Sequence, residues 1–387
     1  MSVRVGALVT LLALGGAGAC VARDPVAVSD GADDRDTYCA GSGPPILIDD
    51  TCTGDVAAAA FRTAVCACDA LTLAAAVEID GFDSRTGPWT PGGAGGDLGA
   101  NQGVSSGAAL TVSGSVSVAG AAGLAAGPRA DVAGDLALAG ALGRSSSTIT
   151  VGGAARVGGD LAVAALTVTG ALTTAPGAAT SGAIAAGERT TAAVAVPPPC
   201  PCTAAEVIDV GAAIADHAVA NHDAAIGLAP DELADARGDA TLALPCGRFY
   251  LDQVQVTGGD LTIAATGRVA LFIAGNVTID GALTVTLAPD AELDLFIGGA
   301  LNLPGTVTLG DPQRPRALRV YVASAGTIAV AGGSTLAGNL YAPAADLATS
   351  GAIEVFGAVL VNHWNLSAPA TVHYDRAITV AGAACER

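Results

Sequence analysis

The chain alternates. From Gly107 onward, triplets and quintets of apolar, polar and apolar residues follow one another with glycine corners between them. Residues 258–287 read GGDLTIAATGRVALFIAGNVTIDGALTVTL, three versions of one short phrase. A period of two predicts strands. Strands of three to five residues bury only two or three side chains each and do not stand alone. If every rung turns back over the last, equivalent aliphatics stack in ladders and each rung covers its neighbour. Glycine supplies the corners because it tolerates positive φ, and Asp or Asn suits the next corner position. Asp135, Asp160, Asp260, Asn276, Gly299 and Asn339 mark such corners, 16 to 40 residues apart within each half, which fits one or two turns of about twenty residues. The expected fold is therefore all-β for the most part: a parallel β-helix, or β-solenoid, with one inserted amphipathic α-helix. A β-sandwich competes, but its strands are longer and its aromatics more frequent.

The pattern breaks at Val196–Cys202, VPPPCPC. Thr203 and Glu206 then form a capping box. Val207, Val210, Ile214, Ala218 and Ala225 share one helical side, and Asp209, Asp216 and Asp223 the other. This predicts an amphipathic helix of about six turns. The chain divides into a signal peptide (1–19), an acidic tether (20–56), a Cys-x-Cys segment with a Gly/Pro loop (57–103), a first solenoid part (104–199), a helical insertion (200–241) and a second solenoid part (242–387). Whether the two parts form one solenoid or two stacked ones is open at this level.

Composition narrows the picture. Hydrophobic residues make up 51% of the 387, yet aromatics only 3%, and 52 residues are Gly. The core must be thin and built from small aliphatics. The net charge of −19 repels nucleic-acid phosphates and anionic lipid, so nucleic acid is not an expected partner.

The first twenty residues, MSVRVGALVTLLALGGAGAC, place Arg4 before an apolar run too short to span a bilayer, as in a secretion signal. The end of this stretch, Ala17-Gly18-Ala19-Cys20, resembles the lipobox of bacterial lipoproteins, with Ala17 where that family usually has Leu. The resemblance implies lipidation of Cys20 and a lipid-anchored location in the cell envelope, at the outer membrane or cell surface. An ordinary signal cleaved near Ala19 is the alternative.

Beyond Cys20 there are eight cysteines, Cys39, Cys52, Cys66, Cys68, Cys200, Cys202, Cys246 and Cys385. An even number outside the cytoplasm points to disulfides. The expected pairing is Cys39–Cys52, one Cys-x-Cys pair against the other, and Cys246–Cys385. A zinc site from the four Cys-x-Cys thiolates is the alternative, though its ligand spacing is short.

Two further resemblances bear on function. Asn339–Pro343 (NLYAP), Phe356-Gly357-Ala358 and His373-Tyr374-Asp375 are similar to the hallmarks of a domain in bacterial envelope proteins, including some associated with pilus assembly. Phe82–Trp89, FDSRTGPW, resembles a lead-in motif of the same proteins. This implies a solenoid at a surface and no assigned activity. More loosely, the order strand, helix, strand with LPCGRFY is similar to ice-binding solenoids, whose flat faces are Thr-rich. Thr278, Thr284, Thr286, Thr306 and Thr308 would have to stack for that.

Candidate chemistry is sparse. His373 with Tyr374 and Asp375 could form an acid–base cluster; a hydrogen-bonded cap is the plainer reading. His217 and His222 are five apart and do not share a ligand direction on a helix. His363 and His373 flank the last rungs. Aligned Asp135, Asp160 and Asp260 would attract calcium, but plain turn chemistry explains them as well. No other cofactor is expected. Arg314, Arg316 and Arg319 with Asp311 read as a solvated loop. The expectation is a non-catalytic structural or adhesive envelope protein, held to the membrane by lipid and free to meet a glycan or protein ligand. A β-helical carbohydrate-active enzyme is the alternative from another class, and an ice-binding solenoid a further one.

Overall fold

The computed structural model describes residues 31–40, 47–48 and 51–380. About 48% of the chain is strand, wound into a parallel β-solenoid of about 13 turns. Each turn lays one strand on each of three sheets, so the cross-section has three sides. At roughly 4.8 Å between neighbouring strands the stack is on the order of 58 Å long.

The order of turns in space is not the order in sequence. The second solenoid part starts the stack with Gly247–Leu251 on the first sheet and climbs through Arg268–Ile273, Glu292–Ile297 and Leu318–Val322. Its last turn then meets the beginning of the chain. Val65–Ala67 pairs with Val359–Val361 on one side and with Leu98–Ala100 on the other. The other two sheets cross the same boundary, through Trp364 to Leu71 and through Ala370–Asp375 to Val77–Phe82. The first solenoid part continues in the same direction and ends at Thr180–Thr191. The two parts thus make one solenoid, with the amino-terminal part stacked on the carboxy-terminal one. Its first turn, Val65–Ala67, Ala70–Leu73 and Val77–Phe82, lies in the Cys-x-Cys segment, where a short helix and one strand leading into the body are expected and a full turn of three strands is found.

The chain must therefore travel back from the far end. On the first sheet, Val65 and Arg189 are separated by six strand-to-strand steps. Six steps are roughly 29 Å. The nine residue steps from Thr191 to Cys200 reach about 28 Å in a polyproline conformation. Pro197, Pro198 and Pro199 hold the link near full extension, where a flexible segment would lose entropy on ordering. Gly99 leaves room for it: a Cβ there would come within 3.1 Å of Pro199 Cβ and 3.2 Å of Cys66 Sγ.

Most inward positions are aliphatic, with Phe249 and Trp364 among them, and Leu71, Val112, Val116, Ile149, Leu261, Val285 and Leu347 are essentially inaccessible to solvent. The outer side of the first sheet carries a run of aromatics. Phe272 stacks on Phe296 at 4.9 Å between ring centres, and Phe296 on Tyr321 at 4.8 Å. This run needs a cover, and the helical segment provides it. The helix is Val210–His217, much shorter than the pattern predicts, with Asp209 as its cap. Thr203 and Glu206 bond each other in a separate turn. Val210 and Ile214 are buried as expected, and His217 stacks on Phe272 at 4.1 Å. The helix stops because the next residues serve elsewhere. His222 exchanges hydrogen bonds with Arg248, and Asp223 accepts from Tyr250 N–H. Together they cover the edge of the first strand, Gly247–Leu251.

Among the described residues three disulfides fasten this covering layer and the return link. Cys66 bonds Cys200 and Cys68 bonds Cys202, so one Cys-x-Cys motif faces the other. The expected Cys39–Cys52 and Cys246–Cys385 pairs give way to Cys39–Cys246, which ties the helix α1 (Gly31–Ala40) to the first turn. Cys385 and the side chain of Cys52 lie outside the described residues, as do Cys20 and the expected signal peptide.

Candidate functional site

The corners explain the repeated Gly-Asp. Asp97 Oδ1 accepts from Ser115 N–H one turn on, at 2.7 Å, Ser115 Oγ accepts from Asp135 N–H, and Asp135 Oδ1 accepts from Ala154 N–H. Asp160 serves Ala179, Asp260 serves Ala282, Asn276 serves Ala300 and Asn339 serves Ala358 in the same way. Each of these side chains ties one turn to the next by satisfying a backbone donor. Except at Ala179, which Ala178 precedes, the residue before the served one is a glycine, and it makes the space. A Cβ on Gly153 would lie 2.2 Å from Asp135 Oδ1, and one on Gly114 2.3 Å from Asp97 Oδ1. The aspartates proposed for calcium thus use one oxygen on the protein backbone. Among the described residues no group of three or more His, Cys, Asp or Glu side chains is placed to hold a metal ion. The four Cys-x-Cys sulfurs are in disulfides.

The two motifs at Phe82–Trp89 and His373–Asp375 meet at the junction of the halves. His373 Nδ1 lies 2.7 Å from Asp80 Oδ1, its Nε2 3.4 Å from Glu354, and its ring 3.9 Å from that of Trp89. Trp89 Nε1–H donates to both oxygens of Asp80. Asp375 Oδ1 accepts from Ser84 N–H and Ala377 N–H. Tyr374, between them, belongs to the buried core, and its hydroxyl donates to Phe61 C=O at 2.7 Å. Strand alternation separates it from its neighbours, so His373, Tyr374 and Asp375 do not form a single acid–base cluster. Burial raises the Tyr374 phenol above its usual range. His373 and Asp375 are themselves buried beneath the loop, 1% and 0% exposed. The arrangement clamps the 83–97 loop of one half onto the last turn of the other.

A second polar cluster was not legible as such. Arg319, expected on a solvated loop, is buried, with Nε 2.5 Å from Asp294 Oδ1 and Nη2 3.0 Å from Glu292 Oε2. Its Nη1 donates to Arg316 C=O. Burial pushes the Asp294 carboxyl up, and the Arg319 guanidinium pulls against it. Tyr38 of α1 lies over Arg268 and Arg248, at 5.0 and 5.5 Å from the ring centre, and accepts from Arg268 through its C=O. Burial also raises the Tyr38 phenol. The cluster sits on the outer side of the first sheet, and α1 covers it. Sequence could pair Asp294 with Arg319 only through the register of strands 25 residues apart. Arg314 meets Asp311 as a surface pair at 3.3 Å. His363 Nε2 lies 2.9 Å from Thr72 Oγ1 on the outside.

What these residues define is a parallel β-solenoid whose corner side chains serve the backbone of neighbouring turns. Residues 204–380 match the family model of a domain of unknown function, DUF7305. That match covers the carboxy-terminal part of the stack, from the end of the return link to the junction. No curated protein and no solved structure matches the chain.

Proposed function

We propose that the protein is a lipid-anchored component of a bacterial cell envelope with a structural or adhesive role and no catalysis. The observation that carries this reading is the unbroken stack: three sheets run through about 13 turns, across the junction of the halves. A rod held by ladders and disulfides offers shape and surface, and its corner carboxylates are engaged in holding it. Cys20 would carry the anchor, and the three disulfides fit an oxidising compartment. No described helix is long and apolar enough to cross a membrane. The ligand would be a glycan or a protein surface.

The test has two arms. The full chain, expressed in a Gram-negative host fed an alkyne fatty acid, should take up label, and Cys20→Ser should lose it. An unlabelled wild type would remove the anchor. Incubation with a panel of envelope and plant glycans should give no products. Turnover of any of them would replace the structural role with a carbohydrate-active enzyme.

One observation favours a second reading. Thr241, Thr262, Thr284, Thr308 and Thr335 stand in register on the outer side of the third sheet. Such a row of methyls and hydroxyls is what an ice-binding face would need. Of the threonines expected to stack, only Thr284 and Thr308 do; Thr278 stands in register with Gln255 and Asn302 on another sheet, and Thr286 with Ala264. Thermal hysteresis lost in Thr284→Tyr would support that reading, and its absence in the wild type would end it.

A further inference from the structure

The two ends of the solenoid are finished differently. At the first turn, His222 and Asp223 lie on the edge strand Gly247–Leu251, and Leu233 packs into the core beside it. At the other end, Thr180–Thr191 pairs with Leu161–Thr174 and with no further strand among the described residues. A long strand with a free edge ordinarily invites another chain to pair with it.

The inward columns show how this end is treated. The column Val65, Leu98, Val116, Leu136, Ala155, Leu172 is apolar throughout and then arrives at Arg189. A second runs Leu71, Val104, Leu124, Leu142, Leu161 and arrives at Thr180. A third runs Val118, Leu138, Val157, then Thr174 and Thr191. Only Ile184 and Ala186 continue their columns as aliphatics. Arg189 turns back over the turn, where its Nη2–H donates to Ile184 C=O. Thr180 and Arg189 change the character of two core-facing columns in the final turn, and the third column has changed one turn earlier, at Thr174.

We propose that the final turn is a built-in stop: Arg189, with Thr180 and Thr191, keeps the open end of the solenoid from stacking on a second copy of the same chain. The partner follows from the fold. The junction inside the chain is already an end-to-end stack of two solenoid parts through all three sheets, so this surface type is one the molecule uses. In a second copy the first-sheet edge of the first turn, Gly247–Leu251, is covered by His222 and Asp223, which leaves the opposite end as the mate open along all three sheets. Two open ends meet as a closed two-fold pair and not as a filament.

The experiment compares the purified full chain with Thr180→Leu/Arg189→Leu/Thr191→Val, by light scattering and by hydrogen exchange of residues 180–191. The wild type should show fast exchange across this strand. The triple variant should double in mass as concentration rises, with exchange slowed in 180–191 and unchanged in Gly247–Leu251. Arg189→Leu alone should shift the same way to a smaller degree, which keeps the test valid if the triple variant does not fold. Thr190→Val, which replaces the outward hydroxyl bonded to Thr173 by a methyl, should leave both readings at the wild-type level. Variants that stay single with fast exchange, or a wild type already protected in 180–191, would overturn the proposal.

Discussion

Cys66 and Cys200 are 134 residues apart in sequence, and their Cα atoms are 5.6 Å apart. Cys68 and Cys202 repeat the relationship at 5.5 Å. The two bridges hold the returning link against the turn where the halves of the solenoid join. With one bridge present, the other closes only a loop of a few residues, so their contributions are not additive. Removing Cys66 and Cys200 together, or Cys68 and Cys202 together, should therefore cost little in a denaturant melt. Removing all four should lower stability by on the order of 4–5 kcal/mol. Equal, additive losses from each pair would show that the bridges act independently.

Gly153 and Asp135 form one unit across two turns. Ala at 153 would drive a Cβ into Asp135 Oδ1, and Ala at 135 would strip Ala154 N–H of its acceptor. Each single change should destabilise by about 1–3 kcal/mol. The double variant should cost less than the sum, because the closest clash disappears with the carboxylate while that with Gly134 O at 2.9 Å remains. A melt of the four-member cycle measures this, and strict additivity would contradict the coupling.

Arg319 is the counterion of a carboxylate with no exposure, Asp294. Arg319→Ala should cost about 3–5 kcal/mol because it leaves that carboxylate buried and unpaired. Arg319→Met with Asp294→Leu should recover most of the loss, since the charge left unpaired, Glu292, is partly exposed. If the double variant is as unstable as the single one, the pair is not the source of the effect.

His217 and His222 both have their pKa lowered below 6.5, first by burial. The folded state therefore favours the neutral rings. Their contribution is complete above 6.5 and is lost as the pH falls from there through the lower folded values. The melting temperature should drop between pH 7 and pH 5. His217→Phe, which can keep the parallel stack on Phe272, should flatten part of that drop. A pH profile unchanged by the substitution would move the titration elsewhere.

The junction clamp gives a last expectation. Trp89→Ala removes the ring over His373 and the N–H that Asp80 accepts. Proteolysis at loop 83–97 should quicken while exchange in Gly247–Leu251 stays unchanged. A global loss of protection would show that the halves do not open separately.

The sequence by itself determined the solenoid. Short alternating strands with glycine corners cannot be buried in any simpler way, and the aliphatic columns and corner Asx residues were legible because stacking repeats them. It also determined that the two Cys-x-Cys motifs are disulfide material. Tertiary structure decided the rest. That Val65 follows Val359 in space depends on which strand edges remain free after both halves wind, and no local pattern encodes that. The helix ended at His217 because His222 and Asp223 satisfy an edge strand, a demand set by a turn more than twenty residues away. Arg319 read as a surface charge because its partner lies 25 residues off, brought beside it only by the pitch of the coil. Periodicity is a property of neighbours in sequence; burial and partnership are properties of neighbours in space.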